Sequence, residues 1–358
     1  MLWLYIILQR YKKMLNFYPG PSKLFSGIDL RVQEAIASGI LSMNHRSADF
    51  MQLYASVQEN FETYYDLPKG YKVYVTSSAT ECWTILAQSF PKRSFLHIFN
   101  GSFGKKWMDV SKQLNLEHES LVFDIHETFS PSKIADSSAE IICTTLVETS
   151  NGSYLSNDVQ AEIRNTFEDA LIAVDATSAM AGIPIKWEYA DIWFASVQKC
   201  FGLPSGLGIL ILSPQAQHTI EHRSTDLHYN SLKRIVENGA TFQTTHTPNI
   251  LGIYLVAERL KEIDTADFFK LNERMLYLYN HFSTHASLQP LLIEKSVQST
   301  TVLTLKGDEE YILQLKKSLK AQDIIIGSGY GIWKENTIRI ANFPAHTDED
   351  FEKLLLVI

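Results

Sequence analysis

Asp175 closes the short apolar run LIAVD, and Gln198-Lys199 follows a second run from Ile192 to Val197. Two such runs read as adjacent strands, which would aim a carboxylate and an amine into one crevice. An aspartate at a strand end is commonly a turn residue or a helix cap. A lysine one strand unit later gives this aspartate a chemical partner. The pair suits pyridoxal phosphate, which needs a lysine for its Schiff base and an acid to keep its pyridine nitrogen protonated. That cofactor also needs a phosphate cradle. Ser77-Ser78-Ala79-Thr80 places small residues at the opening of a helix, with N–H groups and hydroxyls at its positive end. Taken singly, the same residues are an ordinary N-cap.

The elements that must position these residues follow from the hydropathy pattern. Runs at 71–76, 95–99, 140–146, 170–175, 191–197 and 207–212 are short, apolar and bounded by turn residues, with amphipathic stretches such as 103–115 and 156–169 between them. The expectation is an α/β fold, a mostly parallel sheet covered by helices on both faces, with its chemistry at the carboxyl ends of the strands. Residues 251–282 read as one or two helices. Beyond them TTVLTLKG, a helix around 308–321, DIIIGS and NTIRIANF indicate a smaller α+β domain. The division expected is an N-terminal segment at 14–30 joining the small domain, a large cofactor-binding domain at 31–255, and a small C-terminal domain at 256–358. Residues 1–13 read as an extension. Their apolar run, Leu2 to Leu8, falls far short of the ~20 residues of a membrane span, and the charges follow it rather than precede it as in an export signal.

Composition narrows the function classes. The 358 residues carry 32 basic and 40 acidic side chains, a net charge of −8, with no basic run able to neutralise a row of phosphates. Neither nucleic acid nor a membrane is expected as a partner. Three cysteines outside any CxxC spacing fit a reducing compartment, so the cytoplasm is the expected location. His218-Thr219-Ile220-Glu221-His222 matches HxxEH, in which two histidines share a helix face and a glutamate activates water on zinc. It stands in a polar helix without an evident third ligand, so no metal site is assigned, and a zinc hydrolase remains only as the reading from another class. Gly327-Ser328-Gly329-Tyr330-Gly331 lacks the spacing of a dinucleotide loop and reads as a tight turn.

A wider set of motifs carries a family resemblance. FYPGPSKL near the start, MNHRSADFMQLY at 43–54, LPKGYKVYVTSSAT at 67–80, VETSNG at 147–152, VDATSAMAGIPI at 174–185, SVQKCFGLPSGLGILIL at 196–212, THTPN at 245–249 and IRIANF at 338–343 occur in order. Together they resemble the phosphoserine aminotransferases, within the class V, fold-type I pyridoxal phosphate enzymes. The resemblance makes Lys199 the Schiff-base lysine and Asp175 the partner of the pyridinium nitrogen. It places Ala79, Thr80 and Gln198 at the cofactor phosphate, Thr149 near the ring hydroxyl, and Phe103 over the ring where the family usually has Trp. It implies a homodimer with shared active sites, in which His246 and Thr247 reach the partner's cofactor phosphate; the family usually has Asn-Thr there. Arg339 would hold the substrate α-carboxylate, and His45 with Arg46 the distal group. The implied reaction converts phosphoserine and 2-oxoglutarate to 3-phosphohydroxypyruvate and glutamate, in serine biosynthesis. One departure bears on the substrate: the His-Arg pair usual before the last-strand arginine is absent from GYGIWKENTIRI, where only Lys334 is basic. Another class V aminotransferase, using serine, alanine or a similar donor, is the alternative.

Overall fold

A computed structural model describes residues 14–134 and 136–358; the expected extension at 1–13 lies outside the described residues. The chain begins with β1 (Leu15–Phe17), helix α1 (Ile28–Ala37) and helix α2 (Ala48–Tyr64). It then alternates: β2 (Lys72–Thr76), α3 (Ala79–Ser89), β3 (Phe95–Phe99), α4 (Ser102–Gln113), β4 (His118–Val122), β5 (Ile141–Thr145), the hairpin β6 (Val147–Glu148) and β7 (Ser153–Tyr154), and α5 (Asn157–Thr166). β8 (Leu171–Asp175), β9 (Ile192–Ser196) and β10 (Gly208–Leu212) follow, then α6 (Pro214–Arg223), α7 (Leu232–Gly239), α8 (Ile250–Leu260) and α9 (Thr265–Ser283). The chain ends with β11 (Leu288–Pro290), β12 (Val302–Gly307), α10 (Glu309–Ala321), β13 (Ile324–Ser328), β14 (Thr337–Ala341) and α11 (Asp348–Leu355).

Seven strands form one sheet in the order β2-β10-β9-β8-β5-β3-β4. β9, β8, β5, β3 and β4 run parallel, and β10 runs antiparallel to both β9 and β2. All six apolar runs expected as buried strands are in this sheet. They are apolar at successive positions because alternate side chains enter different cores: Trp193 and Val174 pack with the helices of one face, including Phe50, Phe61 and Ile253, while Phe194 and Ala173 pack with Trp83, Leu86 and Trp107 on the other. Strand β4, HESLV, has no continuous apolar run, and it lies at the sheet edge with residues exposed.

A second sheet has the order β1-β13-β14-β12-β11. Its core joins Leu303, Leu305, Ile338 and Ile340 to Leu278 and Phe282 of α9 and to Leu315 and Leu319 of α10. β1 enters this sheet parallel to β13, which carries the N-terminal chain from the small sheet toward the large one. There Ser22 N–H donates to Gln198 O and Phe25 N–H to Gly202 O. Helix α8 sends Ile253, Leu255, Val256 and Leu260 into the large core. No described helix is long and apolar enough to cross a membrane.

Candidate active site

The carboxyl ends of β5, β8 and β9 open on a cavity of about 280 Å³, lined by residues that include Lys199, Asp175, Thr149, Phe103, Tyr330 and Arg339. That volume lies near the lower end of the ~300–1,000 Å³ range of small-molecule sites. A larger groove of about 640 Å³, lined by Arg93, Glu140, Asp169 and Arg223 among others, holds none of these groups, so the smaller cavity is the candidate site.

Lys199 is buried, and its Nζ donates to Thr149 Oγ1 and Ser178 Oγ, both at 2.8 Å. Burial pulls its pKa down from 10.5 to about 8, against the opposing pull of Asp175. Asp175 lines the same cavity without an ion pair to Lys199 within 4 Å among the described residues. Its Oδ2 accepts from Trp83 Nε1 at 3.0 Å and its Oδ1 from Thr177 N at 3.0 Å. Burial raises the Asp175 pKa, while the Thr177 and Trp83 hydrogen bonds and the Lys199 charge favour the carboxylate. Thr177 Oγ1 lies close enough to help hold that charge but finds no partner of acceptable geometry. A buried carboxylate, an amine of lowered pKa and an unpartnered hydroxyl thus face one space.

Arg339 reaches this space from β14. Its Nε donates to Ser328 O at 2.8 Å and its Nη1 to Thr149 O at 3.0 Å, fixing the guanidinium plane. It is buried, burial lowers its pKa, and among the described residues no carboxylate lies within ion-pairing distance. A desolvated guanidinium with donors to spare favours an anion.

Phe103 stacks on Tyr330 at a centroid distance of 5.1 Å, with Lys199 Nζ 5.3 Å from the Phe103 ring centre. The ring is held by the end of its helix. Buried Glu148 accepts from the N–H groups of Phe103 and Gly104, each 3.1 Å from Oε2, and from Ser150 N and Oγ. Gly101 leaves room for this cap, since a Cβ there would stand 2.2 Å from Glu148 Cγ. Gly20 does the same for the lysine: it has φ +129°, and a Cβ would lie 2.8 Å from Lys199 Cε.

The turn before α3 has fewer free donors than expected. Ser77 gives its N–H and hydroxyl to Glu81 Oε2, Ser78 caps Glu81 N, and Ala79 N–H is taken by Ser196 Oγ at 2.8 Å. Thr80, exposed on the cavity wall, keeps both its N–H and its hydroxyl.

The sequence matches the family Aminotransferase class-V over residues 16–354. The chain belongs to the class-V aminotransferases. A phosphoserine aminotransferase of Rhodococcus opacus is 27% identical over 356 residues, covering 95% of this chain and 92% of that protein. A solved phosphoserine aminotransferase of Cytophaga hutchinsonii superposes with a TM-score of 0.90 at 30% identity, covering 96% of this chain and 98% of that one. An aspartate aminotransferase of Thermus thermophilus, TM-score 0.78 and 19% identity over 95% and 96% of the two chains, shares the fold alone.

In this class-V aminotransferase the cavity brings together eight of the residues singled out by sequence: Ala79, Thr80, Phe103, Thr149, Asp175, Gln198, Lys199 and Arg339. His45, Arg46, His246 and Thr247 are not among its lining residues. Arg46 donates to Gln243 Oε1 at 2.6 Å, and His246 Nδ1 lies 3.1 Å from Thr245 Oγ1. Lys334 is exposed beside Glu335. His218 and His222 of α6 face solvent with ring centres 4.5 Å apart, and no group of three or more His, Cys, Asp or Glu suited to a metal occurs among the described residues. Sequence reasoning assigned no role to Tyr18, Gly20, Trp83, Glu148, Thr177, Ser178, Ser196 or Tyr330. Of these, all but Trp83 stand within motifs read in the sequence: Tyr18 and Gly20 in FYPGPSKL, Glu148 in VETSNG, Thr177 and Ser178 in VDATSAMAGIPI, Ser196 in SVQKCFGLPSGLGILIL, and Tyr330 in GYGIWKENTIRI.

Proposed function

We propose that the chain is a pyridoxal phosphate-dependent aminotransferase acting on phosphoserine and 2-oxoglutarate, giving 3-phosphohydroxypyruvate and glutamate in serine biosynthesis. The observation that carries this reading is the convergence of buried Lys199, Asp175 and Arg339 on one cavity, the first two without an ion pair between them and the third without an acidic partner among the described residues. The names of the relatives support the substrate. The cavity suits the cofactor in three respects: an amine held close to neutrality, a buried carboxylate, and the unpartnered Thr177 hydroxyl beside it.

Bound there, pyridoxal phosphate supplies a carbonyl carbon and an electron-withdrawing ring that stabilises negative charge at the substrate α-carbon. Lys199 would hold it and, once displaced by the substrate amine, would move the α-proton with its Nζ, steadied by Thr149 and Ser178. Asp175 would keep a proton on the ring nitrogen, with Trp83 and Thr177 fixing its carboxylate. Thr80, Gln198 and the positive end of α3 would meet the phosphate, with Ala79 beside them, its N–H held by Ser196 Oγ. Phe103 would cover one ring face, and Arg339 would clamp the α-carboxylate.

A donor panel tests the substrate. Phosphoserine should be turned over with 2-oxoglutarate in preference to serine and alanine, and a preference for the neutral donors would replace this reading with a serine or alanine transaminase. Arg339→Lys exchanges a planar fork for a point charge and should raise KM for every amino-acid donor by roughly 10- to 100-fold. An unchanged KM would remove Arg339 from the carboxylate.

The functional unit we propose is a homodimer in which exposed Thr247 and half-buried His246 serve the partner's cofactor phosphate, with His45 and Arg46 at the substrate's distal end. Mixing Lys199→Ala with a variant altered at both His246 and Thr247 should then restore about one working site per dimer. Proven subunit exchange without recovery would deny the sharing.

A further inference from the structure

Apart from Lys199, Arg339 is the one cation among the residues lining the cavity, so the lining itself meets one end of the substrate only. Lys334, the one basic residue just before Arg339, has a side chain 71% exposed and lies 3.6 Å from the carboxylate of its neighbour Glu335. A different lysine stands at the mouth of the cavity. Lys106, in the second turn of α4, donates to Oη of Tyr330. Its Nζ lies 4.8 Å from the Tyr330 ring centre and 5.5 Å from that of Phe103, and both rings line the cavity. The Arg339 guanidinium carbon is 5.2 Å from the same Tyr330 ring centre. With legs of 4.8 and 5.2 Å to a shared point, the two cations are no more than about 10 Å apart, a span that a short substrate with an anion at each end can bridge.

Lys106 is also unneutralised. Its neighbour Lys105 is paired with Asp109 at 2.8 Å, whereas Lys106 has no carboxylate within 4 Å among the described residues. An ammonium carries three donors and Tyr330 takes one. The tyrosine hydroxyl and the two rings hold the flexible stem, so less side-chain freedom is lost when an anion arrives.

We propose that Lys106, anchored by Tyr330, is a specificity residue that binds the distal anionic group of the substrate. This rests on the aminotransferase reading above and adds, beside the His45 and Arg46 proposed for the distal end, a cation at the cavity itself that favours a doubly anionic substrate in a chain whose pre-arginine turn lacks the usual basic pair. Its placement explains how the turn Gly329-Tyr330-Gly331 takes part: it supplies a ring and a hydroxyl, while the charge comes from a helix more than two hundred residues earlier.

The test is calorimetric titration of the cofactor-loaded protein with two unreactive ligands. 3-Phosphoglycerate carries a carboxylate and a distal phosphate, and glycerate carries the carboxylate alone. The unmodified protein should bind 3-phosphoglycerate more tightly, with an advantage that shrinks as salt rises. Lys106→Met keeps the apolar stem on an exposed residue; it should weaken 3-phosphoglycerate about tenfold and glycerate less than about twofold. Lys106→Arg should restore most of the loss, and Tyr330→Phe, which leaves the charge but removes its anchor, should lie between. Equal weakening of both ligands by Lys106→Met, or a phosphate preference that survives it, would overturn the role of Lys106 and leave the substrate reading standing. No phosphate preference in the unmodified protein would overturn both.

Discussion

Lys199→Ala is expected to abolish transamination, with turnover falling on the order of 10⁴-fold or more, because one amine both holds the cofactor and moves the proton. The fold should survive, since the hydroxyls of Thr149 and Ser178 already bond each other at 2.6 Å and keep that bond when the ammonium is gone. The chemistry of the unloaded protein should carry the same signature. An amine of pKa about 8 is about 10% neutral at pH 7, against well under 0.1% for an ordinary lysine. Only the neutral form attacks a carbonyl. The rate of cofactor uptake should therefore rise as pH approaches 8 and level off above it. A rise continuing toward pH 10 would show an amine that burial has not prepared, and Lys199→Ala should lose the covalent phase altogether.

Asp175→Asn should leave the cofactor bound but slow turnover by about 10²- to 10³-fold, because a neutral amide cannot hold a proton on the ring nitrogen. The amide oxygen can still accept from Trp83 or Thr177, so the local packing is retained. Stability should move the other way. Burial raises the Asp175 pKa above its unfolded value, so the folded state binds this proton more tightly than the unfolded chain. Its contribution to stability is greatest at low pH and falls as pH rises through the unfolded and then the folded pKa. At neutral pH the ligand-free Asn variant should thus be at least as stable as the parent in a denaturant titration. A variant both slower and markedly less stable would make Asp175 a structural residue rather than one kept for chemistry.

The large sheet was legible because its central strands are buried on both faces and so read as unbroken apolar runs. β4 escaped because an edge strand facing solvent carries no such signal. Asp175 and Lys199 were legible as polar residues standing at or after apolar strands, and Arg339, inside the strand of IRIANF, through the family resemblance alone. The parts missed are those created by contacts between distant segments. Tyr330 meets Phe103, and Gly20 meets Lys199, across separations that no local pattern records. Glu148 lies in a quoted motif, yet its work of capping α4 and seating Phe103 depends on β6 ending beside that helix. The same cause explains the overcounted donors before α3: Glu81 and Ser196 take N–H groups that a sequence can only mark as present.

The central claim is that Lys199 carries pyridoxal phosphate in this cavity. Its most direct measurement is borohydride reduction of the protein after incubation with the cofactor, followed by peptide mass mapping. The account predicts one phosphopyridoxyl group per chain, on the peptide containing Gln198-Lys199-Cys200, with no comparable label in Lys199→Ala. A label on another lysine that persists in that variant, or no stable label at all, would contradict it.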